Sequence, residues 1–192
     1  MARVPYVDPE AFPGDPDLLV TSMDREDLPA EYRDALGTGP RHVHRAVGNS
    51  PGALRAFRES IRGFWRESGL SDRERELTIL ATARASDARY EWHQHVRHGL
   101  SVGLTPEEIR AVGAGEYDGF GEAEAALLAY VAATAAGTVD DATFDRFADR
   151  FDRETVVGTT MLAGSYAGLA RALDAMEVEP EEPFVGWELE RL

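Results

Sequence analysis

Glu91 and His95 stand one helical turn apart in "RYEWHQHVRHG", Arg89 to Gly99, a stretch that holds three of the chain's five histidines. At about 100° per residue, Glu91, His95 and His98 share one stripe of a helix. Trp92, Val96 and Leu100 form a second stripe. Tyr90, Gln94 and Arg97 flank the first on the side opposite the tryptophan, and His93 turns away from His95. A carboxylate next to an imidazole orients the ring, raises its pKa and lets it exchange protons near neutral pH. The same Glu and His are a usable pair of metal ligands, with Glu76 on the preceding helix, or His42 or His44, as the third. The order is neither H-E-x-x-H nor a pair of E-x-x-H repeats. Proton chemistry is therefore the preferred reading. A metal held by Glu76, Glu91 and His95 is the alternative, and a non-catalytic oligomeric scaffold with a buried polar network is the third. His93 and His98 are expected on the solvated surface.

Composition narrows the chemistry further. The chain has 192 residues, a formal net charge of −15 and no cysteine. Disulfides, thiolate ligands, thiol nucleophiles and cysteine-based peroxide reduction are thereby excluded. Nucleic acid and anionic lipid are repelled by such a charge. All 20 basic residues are arginine, and the acidity suits a halophilic source. No apolar run approaches the roughly 20 residues of a membrane span, and the N-terminus lacks the apolar core of a signal peptide. A cytoplasmic protein that binds no membrane is expected.

The elements that must position the site read as helices nearly throughout, so an all-α fold in one domain, 1–192, is expected. Residues 1–22, with Pro5, Pro9, Pro13 and Pro16, form an extended arm laid over the body or over a neighbouring subunit. "DREDLPAEYRDAL" reads as a helix capped by Asp24, and "GTGPRHVHRAVGNSPG" reads as a short helix between turn signals. Leu54, Phe57, Ile61, Phe64 and Trp65 have helical spacing in the next segment, which ends at Gly69. The motif-bearing core spans 72–115. Ser71 caps its first helix, a break falls near Ser86-Asp87, and Thr105, Pro106 and Glu108 start a capping-box helix. Three more helical segments follow. The tail, 178–192, carries Phe184, Val185 and Trp187 and packs against something rather than trailing free. Phe57, Phe64, Trp65, Trp92 and Tyr166 can line a pocket, although helical spacing favours core for most of them.

"ERELTILATARASDARYEWHQHVRHGLSVGLTPEEIRAV" resembles the core of the carboxymuconolactone decarboxylase family, a branch of the alkylhydroperoxidase D-like fold. The likeness rests on Arg75-Glu76-Leu77, Tyr90-Glu91-Trp92, His95, Gly99, Gly103 and the Thr105–Ile109 helix start. Flanking segments resemble the family's upstream helix pair and its closing helix with Tyr166. The resemblance implies an all-α bundle assembling into homo-oligomers, trimers or hexamers, with active sites near subunit contacts. Carried over by position, the family's relay glutamate falls on Glu76 and its final histidine on His95. Its two cysteines fall on Ala88 and Glu91, and its other histidine on Tyr90. Without a thiol, peroxidase activity is excluded, and a fold does not carry an activity by itself.

The resemblance implies instead a cofactor-free lyase acting on a small carboxylated lactone. In that reading His95 is the acid, Glu91 its orienter, Tyr90 a hydrogen-bond donor and Glu76 the completion of the relay. Arg84, Arg89 and Arg97 are candidate anchors for the substrate carboxylate, with Trp92 against it.

Overall fold

A computed structural model describes residues 2–20, 25–33 and 41–192. Among the described residues eight α-helices carry the fold: α1 (His42–Val47), α2 (Pro51–Glu67), α3 (Asp72–Ala85), α4 (Arg89–Ser101), α5 (Pro106–Ala114), α6 (Glu122–Ala136), α7 (Asp141–Ala148) and α8 (Arg153–Ala175). No strand occurs among the described residues. The architecture is all-α, as expected.

Helix α3 runs through the middle, packed by α4, α5, α6 and α8. It starts at a full capping box, Ser71 with Glu74, so its first-turn N–H groups are satisfied before the chain enters the core. Every residue from Glu76 to Ala83 is then buried. One of these, Glu76, is ionisable, and the fold must supply it with partners. The break between α3 and α4 falls where expected. Ser86 closes α3 and Asp87 takes φ 52°, a left-handed conformation that aspartate tolerates better than most residues. Thr105 and Glu108 form the second capping box, with Pro106 at the first position of α5.

Two close approaches lock α2 against α8. Gly158 on α8 lies against the end of α2, where an added Cβ would sit 2.6 Å from Ser68 Cα. Gly69 has φ 78°, and a Cβ there would run into Thr155 Oγ1. Both positions need the absence of a side chain.

The expected helix over "DREDLPAEYRDAL" is corrected. Its described part forms two short 3-10 turns, Arg25–Asp27 and Ala30–Tyr32. Pro29 lies between them, removes a donor and disfavours α geometry at Leu28. Asp24 and residues 34–36 lie outside the described residues. The N-terminal arm is laid over the chain's own body: Val7 N–H donates to Arg45 O at 3.1 Å, Arg3 N–H donates to Met176 O at 2.8 Å, and Leu19 packs beside Leu54. The tail docks on α4. Trp187 packs on Trp92 with ring centroids 5.0 Å apart, and Trp92 Nε1 donates to Gly186 O at 2.9 Å. Among the described residues no helix is long and apolar enough to cross a membrane.

Candidate active site

Three helices bring the reactive side chains together. α3 supplies Glu76, α4 supplies Glu91, His95 and His98, and α8 supplies Tyr166. Glu76 is 1% exposed, and Glu91 and His95 are each 4% exposed. His95 Nδ1 donates to Glu76 Oε2 at 2.7 Å, and the other oxygen of Glu76 accepts from Arg75 Nε at 3.4 Å. His95 Nε2 faces Glu91 Oε2 at 3.8 Å. The imidazole thus lies between two carboxylates, with one ring nitrogen fixed and the other turned toward Glu91.

The two carboxylates are driven apart in acidity. Burial pushes Glu91 up to about 7; the charge of Glu181 adds to the rise, and that of His95 only partly offsets it. Its Oε1 is buried with no hydrogen-bond partner. Glu76 is buried as deeply, and burial pushes it up as well. The charge and hydrogen bond of His95, with His98 and Arg75 beyond, outweigh burial and hold it below the ordinary carboxylate range. Near neutral pH Glu76 is therefore an ionised orienter, and Glu91 sits at the midpoint of its own titration. Carboxyl groups separated in this way are suited to different roles.

A cavity of about 510 Å³ opens onto this group. Glu91, His95, His98 and Tyr166 line its reactive side, while Phe57, Ile61, Trp65 and Leu169 line its apolar side. Arg41, Arg58, Arg62, Arg66 and Arg75 supply positive charge around it. Tyr166 accepts from Trp65 Nε1 at 2.9 Å, which leaves its own O–H free to donate into the cavity. Burial, then Glu91 and Glu76, push the Tyr166 phenol well above its ordinary value, so it stays protonated. The Arg75 guanidinium lies 4.4 Å over the Trp65 ring, which fixes that wall.

The stripe read from the sequence meets at this cavity: Glu91, His95 and His98 all line it, joined by Glu76 behind His95. Two expectations are corrected. His98 faces the cavity rather than the outer surface, and burial pushes its pKa down to about 3. His93 is 1% exposed and accepts from Val185 N–H at 3.1 Å, because the tail covers that side of α4. The orienting role also changes hands. Glu76 holds the ring and Glu91 is the group with the unpartnered oxygen.

The remaining predicted residues stand elsewhere or are already engaged. Tyr90 reaches the cavity wall, but its hydroxyl donates to Glu181 Oε1 at 2.9 Å and accepts from Val43 N–H at 3.0 Å. Arg84 donates to Gly113 O at 2.6 Å and lies over Trp187. Arg89 lies over Phe184. Arg97 is buried and donates to Gln94 Oε1 at 2.9 Å. Trp92 is fully buried in the core. None of these last four lines the cavity. His42 points to the tail, Nδ1 lying 2.8 Å from Glu179 O. Among the described residues no group of three or more His, Asp or Glu is placed to hold a metal ion.

Sequence reasoning offered Phe57, Trp65 and Tyr166 as pocket lining, and all three line the cavity; it missed the α2 arginines beside them. Phe57, Ile61 and Trp65 recur every four residues, as do Arg58, Arg62 and Arg66, and this period was visible in the sequence. Glu181 was not visible. It reaches Tyr90 and Gln94 from 91 and 87 residues away.

Residues 51–133 match the carboxymuconolactone decarboxylase family. No curated protein matches the chain. Among solved structures, the debrominase Bmp8 in its apo form is similar at 20% identity and TM-score 0.70, covering 90% of this chain and 98% of its own. An uncharacterized peroxidase-related protein with an alkylhydroperoxidase AhpD core, from Ralstonia eutropha JMP134, is similar at 18% identity and TM-score 0.68, covering 86% and 93%. A protein of unknown function from Agrobacterium tumefaciens is similar at 23% identity and TM-score 0.63, covering 69% and 93%. At these identities the likeness establishes the fold. Residues 51–133 thus match the carboxymuconolactone decarboxylase family, and the chain, which has no cysteine, has an alkylhydroperoxidase D-like fold.

Proposed function

We propose that the protein is a cofactor-free acid–base enzyme, a decarboxylase or related lyase acting on a carboxylated, lactone-type substrate. One observation carries this reading: a buried carboxyl, Glu91, poised near 7 beside His95 Nε2 and facing a cavity with one oxygen unpartnered. A proton donor whose pKa matches the working pH is the most efficient general acid. The absence of cysteine removes thiol chemistry, and a carboxyl, an imidazole and a phenol at one cavity are suited to proton transfer.

In the proposed reaction the bond to the departing carboxylate breaks as CO2, and its electron pair moves into the conjugated lactone carbonyl. The resulting enolate oxygen takes a hydrogen bond from Tyr166, the cavity phenol whose proton is uncommitted. Protonated Glu91 then delivers its proton to carbon and recovers one from solvent through the cavity. Glu76 holds the His95 ring, and His95 sets the charge next to Glu91. Arg58, Arg62 and Arg66, which line the cavity, are the candidate cationic anchors; Arg75 is held by Asp72 and Glu76. The donor role read for Tyr90 passes to Tyr166, and the anchoring role read for Arg84, Arg89 and Arg97 passes to the cavity arginines.

The test is release of CO2 from carboxylated butenolides, followed with incorporation of solvent deuterium at the protonated carbon. Glu91→Gln and His95→Gln are each expected to abolish turnover while leaving the helical content intact. Full activity in both variants overturns the reading. Assembly into a trimer or hexamer belongs to the same proposal and is checked by light scattering.

A further inference from the structure

Three α2 arginines, Arg58, Arg62 and Arg66, line the cavity in a row without a carboxylate partner among the described residues. With 35 acidic residues against 20 arginines, a guanidinium has many carboxylates to choose from. Several take one: Arg73 pairs with Glu108 and Glu124, Arg3 with Glu177, Arg150 with Glu122. On the cavity side of α2 none does. Among the described residues Arg58 binds His44 Nε2 at 3.1 Å and Val20 O at 3.2 Å. Arg62 and Arg66 are exposed at the cavity and make no ion pair among the described residues.

Arg58, Arg62 and Arg66 sit four residues apart, so the row extends about 12 Å along the helix at 1.5 Å per residue. Like charges are thus crowded at the mouth of a cavity. Burial, and then Arg62, lowers the Arg58 pKa; burial, and then Arg58, takes His44 down to about 4. Such crowding costs stability unless an anion arrives to occupy it. One carboxylate satisfies one guanidinium fork; a row of three suits an anion carrying several charges in line. The cavity, at about 510 Å³, falls in the range that encloses drug-sized ligands. Its apolar wall, Phe57, Ile61 and Trp65, runs alongside the arginines on the same helix.

We infer that Arg58, Arg62 and Arg66 bind a phosphate-type handle, a phosphate or diphosphate ester, on an extended substrate whose apolar and reacting part lies along Trp65 toward Glu91. The placement of the reacting end rests on the proposed function; the anion site rests on the arginine row alone. The site is tested by calorimetric titration of the full chain with inorganic pyrophosphate at constant ionic strength. Tricarballylate serves as the carboxylate comparison. One-to-one saturable binding is expected, with Kd raised at least tenfold in Arg62→Ala/Arg66→Ala. It is expected unchanged in Arg146→Ala/Arg153→Ala, away from the cavity, and within threefold of wild type in Glu91→Gln. Absence of saturable binding overturns the inference. So does an equal loss in the Arg146/Arg153 variant, or tricarballylate binding as tightly as pyrophosphate. Failure of the lyase reaction with pyrophosphate binding intact would count against the proposed chemistry and leave the anion site standing.

Discussion

Replacing Glu91 by Gln gives the protein a different dependence of stability on pH. The ordinary glutamate value is 4.5, and burial raises Glu91 to about 7. Below 4.5 the carboxyl is neutral in the folded and unfolded states and contributes nothing. Between 4.5 and 7 the folded protein keeps this proton while the unfolded chain releases it, so folding stability falls as pH rises through the window. Above 7 the folded protein carries a buried carboxylate and the full penalty applies. Each tenfold change in proton affinity corresponds to about 1.4 kcal/mol, which makes the penalty about 3 kcal/mol. Glutamine has no proton to lose. The unfolding free energy of Glu91→Gln minus that of wild type is therefore expected to rise by about 3 kcal/mol between pH 4.5 and 8. Glu76 is held below its ordinary range and contributes stability in the opposite sense, lost as pH falls toward its folded value. It is common to both proteins and cancels in the difference. Urea unfolding at three pH values, followed by tryptophan fluorescence, measures it. Stabilities that run parallel across this range would refute the assignment of a raised pKa to Glu91.

Removing the orienter has the opposite effect on stability. Glu76→Gln replaces a charge-assisted hydrogen bond to His95 and is expected to cost about 2–3 kcal/mol at pH 7, read from the urea midpoint. Trp92→Ala empties a fully buried site and undocks Trp187, for a loss of about 3–5 kcal/mol with faster proteolysis of the tail. Gly158→Ala drives a methyl into the Ser68 backbone and is expected to lower stability by about 1–3 kcal/mol, whereas Gly52→Ala, in open space on α2, is close to neutral or stabilising in the same thermal scan.

Local rules made much of this fold legible. Ser71 and Thr105 announce their helices because a hydroxyl followed three residues later by glutamate satisfies orphan N–H groups whatever packs nearby. The stripe of Glu91, His95 and His98 follows from the helical period. What misled was polarity taken as exposure. His93 and His98 read as solvated, but the tail covers His93 and Gln94 and supplies Val185 N–H and the Glu181 carboxylate as partners, while His98 lines the cavity. Burial pushes Glu181 up; the hydrogen bonds from His42 N–H and Tyr90 and the charge of Arg41 outweigh it and keep it ionised. No helical periodicity encodes contacts across 90 residues. The same long-range closure gives His95 to Glu76 rather than to its turn neighbour Glu91, since a carboxylate on α3 reaches Nδ1 head-on at 2.7 Å.

The central claim is that Glu91 titrates near neutrality while Glu76 stays ionised. Infrared difference spectroscopy of the carboxyl stretch across pH 4 to 9, with Glu91→Gln as the blank, measures this directly. A buried carboxyl band that disappears with a midpoint near 7 in wild type, and is missing from the variant, is the predicted result. A Glu91 band already lost by pH 5 would contradict it.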